Sequence, residues 1–261
     1  MPYDMQSLIS ELSAARTKGR RIRVDELSPD LIPASPDEGY KAQHALLAHL
    51  GQPVGGWKIG ATAPPTMTRF GLDEPFYGAV LAADLHASGD HIPENRYPAK
   101  VLETEFAYRM ARDVPVGSQP PTKEDLLDAV EALVPVFEII NPRFDRIPFE
   151  KVPLAIADLG LNGGLVLGKP IKNWRNLDLS NHPVRLVVDG EIKGEGSSAD
   201  AMGHPAESMT WFARKLWHSG EGLKKGQYIS TGSCTGVVPI EANKTAVGDF
   251  GPLGRIELRF V

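Results

Sequence analysis

Two carboxylates separated by one residue, in a stretch that otherwise predicts a β-strand, place the strongest constraint on how this chain can fold. The stretch is PAKVLETEF at 98–106, and its acids are Glu103 and Glu105. Successive side chains of a strand point to opposite faces, so both carboxylates project from one face. A third acid, Glu138, lies in PVFEII at 135–140, among β-branched and aromatic residues that are typical of a buried strand.

Three acids with apolar neighbours favour a cation, because burial of an unpaired carboxylate is costly. Hard divalent ions such as Mg²⁺ bind carboxylate oxygens and keep positions open for a chelating substrate. The spacing alone leaves two plainer interpretations open. Glu-x-Glu is also typical of a solvated strand face, and Glu138 could point outward from an edge strand or be buried and paired. A metal site is therefore a hypothesis at this stage.

A lysine in an apolar setting is the second unusual feature. Lys58 lies between Trp57 and Ile59 in GGWKIGAT at 55–62, where glycines interrupt the helical pattern. Desolvation of an ammonium group is costly, so a buried lysine needs an anionic partner. The alternative is a lysine on a strand face whose stem passes over Trp57.

Composition limits the class of protein. The 261 residues carry a formal charge of -5, which gives no basic surface for nucleic acid, and one cysteine, Cys234, which excludes an internal disulfide. We find no apolar run of membrane-spanning length and no signal peptide in the first ten residues. We therefore expect a soluble cytoplasmic protein that binds neither nucleic acid nor membrane. The 26 glycines and 22 prolines indicate many turns and short strands.

Local patterns predict both helices and strands. We predict helices over 5–18 and 35–50, a helix capped by Thr122 with its apolar positions at 126–134, and a helix over 205–216. An Asp-Gly turn predicts a hairpin over 184–194, and short strands are predicted at 79–81, 165–167 and from 227 to the end. The glycines at 160–168 do not form a dinucleotide fingerprint, and no Walker lysine follows, so we predict no nucleotide cofactor.

Eight short motifs occur in order along nearly the whole chain. They are GWKIGAT at 56–62, ETE at 103–105, EI at 138–139, AD at 157–158 with GLVLG at 164–168, GHP at 203–205, STGS at 230–233 and DFGPLG at 249–254. In this combination they resemble the 2-keto-4-pentenoate hydratase and 4-oxalocrotonate decarboxylase family, within the fumarylacetoacetate hydrolase superfamily.

The resemblance implies an α+β fold, a fumarylacetoacetate hydrolase-like mixed β-sandwich roll with peripheral helices. It implies a single catalytic domain over 1–261, in which a helical part at 1–55 packs on a β-rich core. It further implies a Mg²⁺ or Mn²⁺ ion held by Glu103, Glu105 and Glu138, and the dimers or larger rings that family members form. Lys58 matches the family's active-site lysine.

The family's substrates are small 2-oxo or 2-hydroxy-dienoic acids of aromatic-compound catabolism. As a hypothesis, such a dienol ketonises and water then adds at the far carbon. Lys58 would orient the substrate carboxylate or move a proton. Ser233 could donate to the same anion, or be an ordinary turn hydroxyl. Asp158 could orient Lys58 or a water, or cap the turn at Gly160.

The chain departs from the family pattern at two positions. Phe76 stands where we expect an aspartate that helps to move protons, and Leu159 stands where we expect an asparagine. The metal ligands and Lys58 are retained while part of the proton-transfer machinery is not, which leaves the reaction open. Tyr77 is an alternative phenolic acid.

Three competing interpretations follow. The first is a hydratase, which STGS at 230–233 favours. The second keeps the site and changes the outcome to decarboxylation or carbon–carbon hydrolysis, although hydrolysis needs a His–Glu pair and neither His44 nor His49 has a matching context. The third is a non-catalytic partner subunit.

Overall fold

The computed structural model describes residues 3–261. Its helices are α1 (Met5–Lys18), α2 (Pro36–Leu50), α3 (Pro64–Phe70), α4 (Lys123–Asp128), α5 (Val152–Ala157) and α6 (Pro205–His218). Its strands are β1 (Val54–Gly60), β2 (Phe76–Leu81), β3 (Leu85–Ala87), β4 (His91–Ile92), β5 (Val101–Met110), β6 (Val130–Ile140), β7 (Asn162–Leu167), β8 (Pro183–Val188), β9 (Glu191–Ser197), β10 (Tyr228–Ser233), β11 (Val238–Pro239), β12 (Thr245–Asp249) and β13 (Arg255–Phe260). The fold is α+β, as predicted.

The first two helices begin and end where the sequence predicts. The Asp4 side chain accepts a hydrogen bond from the backbone N–H of Ser7 at 3.1 Å, and α1 ends at Gly19 in the left-handed conformation. Ser35 caps α2, which ends at Gly51 in the same way. These caps satisfy backbone groups that a helix leaves unpaired at its ends.

Two sheets form the core. The larger one has eight strands in the order β2-β1-β10-β5-β6-β7-β3, with β11 also paired to β5, and the smaller one has the order β4-β13-β12-β8-β9. Phe106 of β5 lies edge-on to Phe250 beyond β12, with ring centroids 5.0 Å apart, so the two sheets face each other. Leu8 of α1 and Leu46 of α2 belong to the same hydrophobic core.

The predicted helix after Thr122 is wrong beyond its first turns. Thr122 caps α4 as expected, but the helix ends at Asp128, and β6 begins at Val130. All but one residue of β6 is buried. A strand that is buried on both faces has apolar residues throughout, so helical spacing occurs in it by coincidence.

A left-handed turn follows α5 and packs on β2. Leu159, Gly160 and Leu161 have φ angles of 52°, 64° and 64°. This turn packs so closely on β2 that a Cβ at Gly78 would lie 2.0 Å from the Leu159 carbonyl oxygen. Glycine is therefore required at 78 for the two segments to meet.

No helix within residues 3–261 combines the length and the apolar character needed to cross a bilayer.

Candidate active site

Strand register brings the three predicted carboxylates together. Glu103 of β5 pairs directly with Glu138 of β6, and Glu105 projects from the same face of β5. One carboxylate oxygen from each residue lies within 4.8 Å of the others. Glu105 and Glu138 are fully buried and Glu103 is half-buried, so the interpretation as a solvated strand face is wrong.

Neighbouring donors fix two of these carboxylates. Glu105 accepts hydrogen bonds at Oε2 from the Ser230 hydroxyl and from the backbone N–H of Gly232. Glu138 accepts at Oε1 from Lys58 Nζ at 3.1 Å and from Asn162 Nδ2 at 3.2 Å. The other oxygen of each, Oε1 of Glu105 and Oε2 of Glu138, is buried without a hydrogen-bond partner among residues 3–261.

The electrostatics of this cluster fit a divalent cation. Burial and the charge of Glu138 raise the pKa of Glu103 to about 7, with Lys58 opposing them. Burial and the charges of Glu138 and Glu103 raise the pKa of Glu105 well above its usual value. Buried carboxylates that repel one another and present unpaired oxygens are typical ligands of Mg²⁺ or Mn²⁺.

Lys58 is buried with its ammonium against this cluster. Only 3% of the residue is exposed, so the alternative of a solvated strand-face lysine is wrong. Burial disfavours the charged form, but the three carboxylates outweigh it and raise the pKa of Lys58. The side chain is therefore an ammonium at neutral pH, with one of its three N–H groups on Glu138.

Ser233 lies at the end of β10 beside Glu103. Its hydroxyl opposes the rise in the pKa of Glu103, although the serine Oγ is buried and has no partner of normal hydrogen-bond geometry in the described chain. The preceding Gly232 has a φ of 112°, and a Cβ there would lie 2.2 Å from Thr62 Oγ1. Glycine at 232 thus lets β10 bend so that the Ser230 hydroxyl and the Gly232 backbone N–H donate to Glu105.

The cluster adjoins a pocket with a volume of about 930 Å³. Lys58, Glu103 and Ser233 contribute to its lining. Three phenylalanines continue the wall: Phe76 lies 5.2 Å from Lys58 Nζ, Phe70 lies 5.7 Å from Phe76, and Phe149 lies 4.7 Å from Phe70, measured to ring centroids. The pocket therefore joins a charged end to an apolar wall.

Comparisons with known proteins identify the family. No family model matches the chain. The 2-oxo-hept-4-ene-1,7-dioate hydratase of Escherichia coli is 31% identical over 251 residues, which cover 93% of each chain. The chain belongs to the 2-keto-4-pentenoate hydratase and 4-oxalocrotonate decarboxylase family. The 2-keto-4-pentenoate hydratase of Paraburkholderia xenovorans is 28% identical over 99% of this chain and 96% of its own length.

Solved structures show the same fold. The 4-oxalocrotonate decarboxylase from Pseudomonas putida G7, complexed with magnesium and adipate, superposes with a TM-score of 0.85 at 20% identity, over 98% of this chain and 97% of that one. The fumarylpyruvate hydrolase from Pseudomonas aeruginosa, in complex with Mn²⁺ and pyruvate, gives 0.60 at 16% identity, over 80% and 91%. The predicted fumarylacetoacetate hydrolase-like fold is therefore confirmed.

The two departures from the family pattern differ in position. Phe76 lines the pocket beside Lys58, so an apolar ring occupies the place expected for an acid. Leu159 is fully buried in the left-handed turn. The interpretation of Tyr77 as an alternative acid is wrong, because its ring packs against Tyr40 and Trp57, on the side of β2 opposite to Phe76. Burial raises the pKa of Tyr77 to about 12.

Asp158 does not contact Lys58, although orienting Lys58 is one of the roles considered for it. Its carboxylate instead accepts a hydrogen bond from the backbone N–H of Arg143 at 2.7 Å and pairs with Arg143 Nε at 3.1 Å. Nor does its side chain cap Gly160 in the described chain. The geometry assigns Asp158 to support of the loop after β6, because a buried guanidinium on that loop supplies the stronger partner.

Sequence reasoning missed two positioning residues of this family member. Ser230 holds Glu105, and Asn162 holds Glu138. A signal for Ser230 exists in the sequence, since Ser230 and Gly232 are spaced to lie on one face of a strand. Asn162 gave a weaker signal, a lone amide that opens a glycine-rich buried strand.

Loss of the Ser230 hydroxyl is expected to weaken metal binding about 10-fold, within the range seen for residues that orient metal ligands. Ser230→Ala removes the hydroxyl that fixes Glu105 and leaves every proposed ligand in place. Calorimetric titration with Mn²⁺ measures the change. Thr231→Val is the matched control, because the Thr231 hydroxyl donates to the Phe106 carbonyl oxygen instead. Equal affinities in the two variants would contradict the role of Ser230.

Proposed function

We propose that this chain is a divalent-metal-dependent hydro-lyase that adds water to a 2-hydroxy-dienoate or its 2-oxo-enoate form. The observation that carries the proposal is the buried cluster of Glu103, Glu105 and Glu138, with unpaired oxygens next to the ammonium of Lys58. Several relatives are named hydratases, and one of these is 31% identical to this chain. Their names support the same reaction class.

The three carboxylates would hold Mg²⁺ or Mn²⁺. When bound, the ion supplies Lewis acidity at the substrate's 2-oxygen, where negative charge develops. Ser230 and Asn162 keep the ligands Glu105 and Glu138 in fixed orientations, so little rearrangement is needed on binding.

Lys58 and Ser233 supply donors to the substrate. The Lys58 ammonium uses one N–H on Glu138 and has two more for the substrate carboxylate, and the Ser233 hydroxyl has no hydrogen-bond partner among residues 3–261. In the reaction the dienol proton leaves oxygen and a proton is added at the chain end. The hydroxyl of water then bonds to the far alkene carbon and its proton to the neighbouring carbon. We propose that Lys58 relays protons between these atoms.

Phe76 has a role as part of the apolar wall of the pocket. A ring at this position keeps water away from Lys58 and gives the unsaturated chain of the substrate an apolar surface. Hydrolysis is less well supported than hydration. His44 does pair with Glu221 at 2.7 Å, but neither residue lines the pocket.

A cation stands farther along the apolar wall. The guanidinium of Arg69 on α3 lies 4.0 Å from the ring centroid of Phe149 and lines the pocket. No carboxylate within residues 3–261 lies within 4.0 Å of it. The pocket thus offers Lys58, an aromatic wall and, at Arg69, a cation with no carboxylate partner among residues 3–261, a combination that suits a 2-oxo acid with a second carboxylate at its tail.

Arg69→Met is expected to lower kcat/KM for a 2-oxo-enedioate about 10- to 100-fold, the cost of a lost hydrogen bond to a charged group. Turnover of 2-hydroxypenta-2,4-dienoate, which has no second carboxylate, should not change. Arg146→Met is the control. Arg146 also lines the pocket, but its guanidinium is held by Glu150 and Asp25. Equal losses for both substrates would contradict this role of Arg69.

A direct assay tests the function. Purified protein with Mg²⁺ is given freshly generated 2-hydroxypenta-2,4-dienoate and, separately, 2-oxohex-3-enedioate. Loss of ultraviolet absorbance without carbon dioxide release supports hydration, and release of carbon dioxide in step with substrate loss would favour the decarboxylase. Failure to turn over either compound, together with failure to bind metal, would favour a non-catalytic partner subunit.

We also propose a compartment, a metabolic role and an assembly state for the enzyme. It would act in the cytoplasm, in the catabolism of aromatic compounds, as a homo-oligomer. A reducing compartment suits the one cysteine, Cys234, which is buried as a free thiol. Light scattering coupled to size-exclusion chromatography measures the assembly, and a monomer at all concentrations would contradict the oligomer.

A further inference from the structure

A second, smaller cavity lies where α1 meets the core. Its volume is about 120 Å³, and it shares no lining residue with the pocket of the candidate active site. Five guanidinium groups and one carboxylate line it, from Arg16, Arg20, Arg21, Arg96, Arg143 and Asp84. A cavity of this size with cationic walls can hold a single small anion.

Backbone carbonyl groups, as well as carboxylates, hold these guanidinium groups. Arg21 Nη1 donates to the carbonyl oxygens of Pro142 and Phe144, both at 2.9 Å. Arg143 Nη2 donates to the carbonyl oxygen of Asn162 at 2.7 Å. Carbonyl partners fix the position of a guanidinium without neutralising its charge, so positive charge beyond that paired with carboxylates remains at the cavity wall.

Arg16 is the least satisfied member of the cluster. Its Nη1 lies 3.5 Å from Asp84 and its Nη2 lies 3.4 Å from the Asn162 carbonyl oxygen, both long for charged hydrogen bonds. Its Nε is buried without a partner in the part of the chain that the structure describes. Burial and the charge of Arg143 lower the pKa of Arg16 to about 10.

The nearby acids are largely engaged elsewhere. Asp84 accepts from Arg96 at 2.7 Å and from the Tyr97 hydroxyl at 3.0 Å. Outside the lining, Asp158 pairs with Arg143, Glu11 pairs with Arg20, and the charge of Asp145 partly opposes the burial and the charge of Arg143 that lower the pKa of Arg21. These four carboxylates leave an excess of positive charge around the five guanidinium groups.

We propose that this cavity binds a small oxyanion, a phosphate, a sulfate or a carboxylate group. Guanidinium groups present paired N–H donors that match such oxygens, and an anion there would supply the partner that Arg16 Nε lacks. Arg16 belongs to α1, whereas Arg143 follows β6. The bound anion therefore fastens the N-terminal helix to the β-rich core.

Thermal unfolding in the full chain tests the site. Phosphate, sulfate or acetate is added stepwise against chloride at matched ionic strength. At saturation by at least one of the three oxyanions we expect a rise in Tm of about 5 °C, from ligand linkage in a chain of this size. Arg16→Met should abolish the rise. The control Arg112→Gln should keep the rise in Tm, because Arg112 is exposed and follows β5, whereas the cavity lies before the start of β5.

The outcomes separate this cavity from the candidate active site. If Arg16→Met does not fold, the double variant Arg20→Gln with Arg96→Gln at the cavity should weaken anion binding at least 10-fold by calorimetry. A rise no greater than that in chloride would overturn the proposal. So would a rise that persists in Arg16→Met and disappears in Arg69→Met, because it would place the anion in the larger pocket.

Discussion

Glu105→Ala is expected to abolish binding of Mg²⁺ or Mn²⁺ and to reduce turnover on the order of 10³-fold or more, the scale of a lost electrostatic stabiliser at the reacting oxygen. Glu105 is fully buried, and its Oε1 has no hydrogen-bond partner in residues 3–261. Calorimetry with Mn²⁺ measures binding, and loss of ultraviolet absorbance of 2-hydroxypenta-2,4-dienoate measures turnover.

Two further variants make this result specific. Glu105→Gln keeps an acceptor for Ser230 and Gly232 but removes the charge, so it should fold normally and still fail to bind metal. Glu131→Ala, at the one exposed residue of β6, where Glu131 pairs with Arg109, should bind metal as the parent does. Full activity in Glu105→Ala would remove this cluster from consideration as the active site.

Lys58→Met is expected to reduce turnover about 10²- to 10⁴-fold, the range for a lost acid–base group, while metal binding is retained or becomes tighter. The reason is electrostatic. The Lys58 ammonium lies 3.1 Å from Glu138 Oε1 and competes with a divalent ion for the same negative charge. Kinetics and Mn²⁺ titration on the same preparation separate the two effects.

This opposite response distinguishes Lys58 from the carboxylates. Lys123→Met is the control, because Lys123 pairs with Glu207 at the surface and should leave both measurements unchanged. If Lys58→Met lost metal binding as completely as Glu105→Ala, Lys58 would be needed to assemble the cluster, and its proposed role towards the substrate would be contradicted.

Local alternation made the centre of the site predictable. Glu103 and Glu105 share one face because a strand repeats every two residues, and Glu138 stands out because an acid among apolar residues needs a partner. Lys58 stands out for the same reason. The helices over 5–18 and 35–50 could be predicted from their caps, which are short-range features.

The rest depends on contacts between residues far apart in sequence. The pairing of Asp158 with Arg143 could not be predicted from spacing, because Arg143 follows β6, Asp158 follows α5, and the two meet only in the fold. The first residues of the buried strand β6, 130–134, have apolar side chains at helical as well as strand spacing, so the sequence predicts them as part of a helix. The stacking of Arg69 on Phe149 joins α3 to the loop before α5 and leaves no sequence pattern.

The most direct test of the account is a crystal structure of the protein grown with Mn²⁺, with data collected near the manganese absorption edge. We expect one strong anomalous peak within bonding distance of Glu103, Glu105 and Glu138, on the side facing Lys58. Absence of a peak between these carboxylates, or a peak bound by other residues instead, would contradict the account.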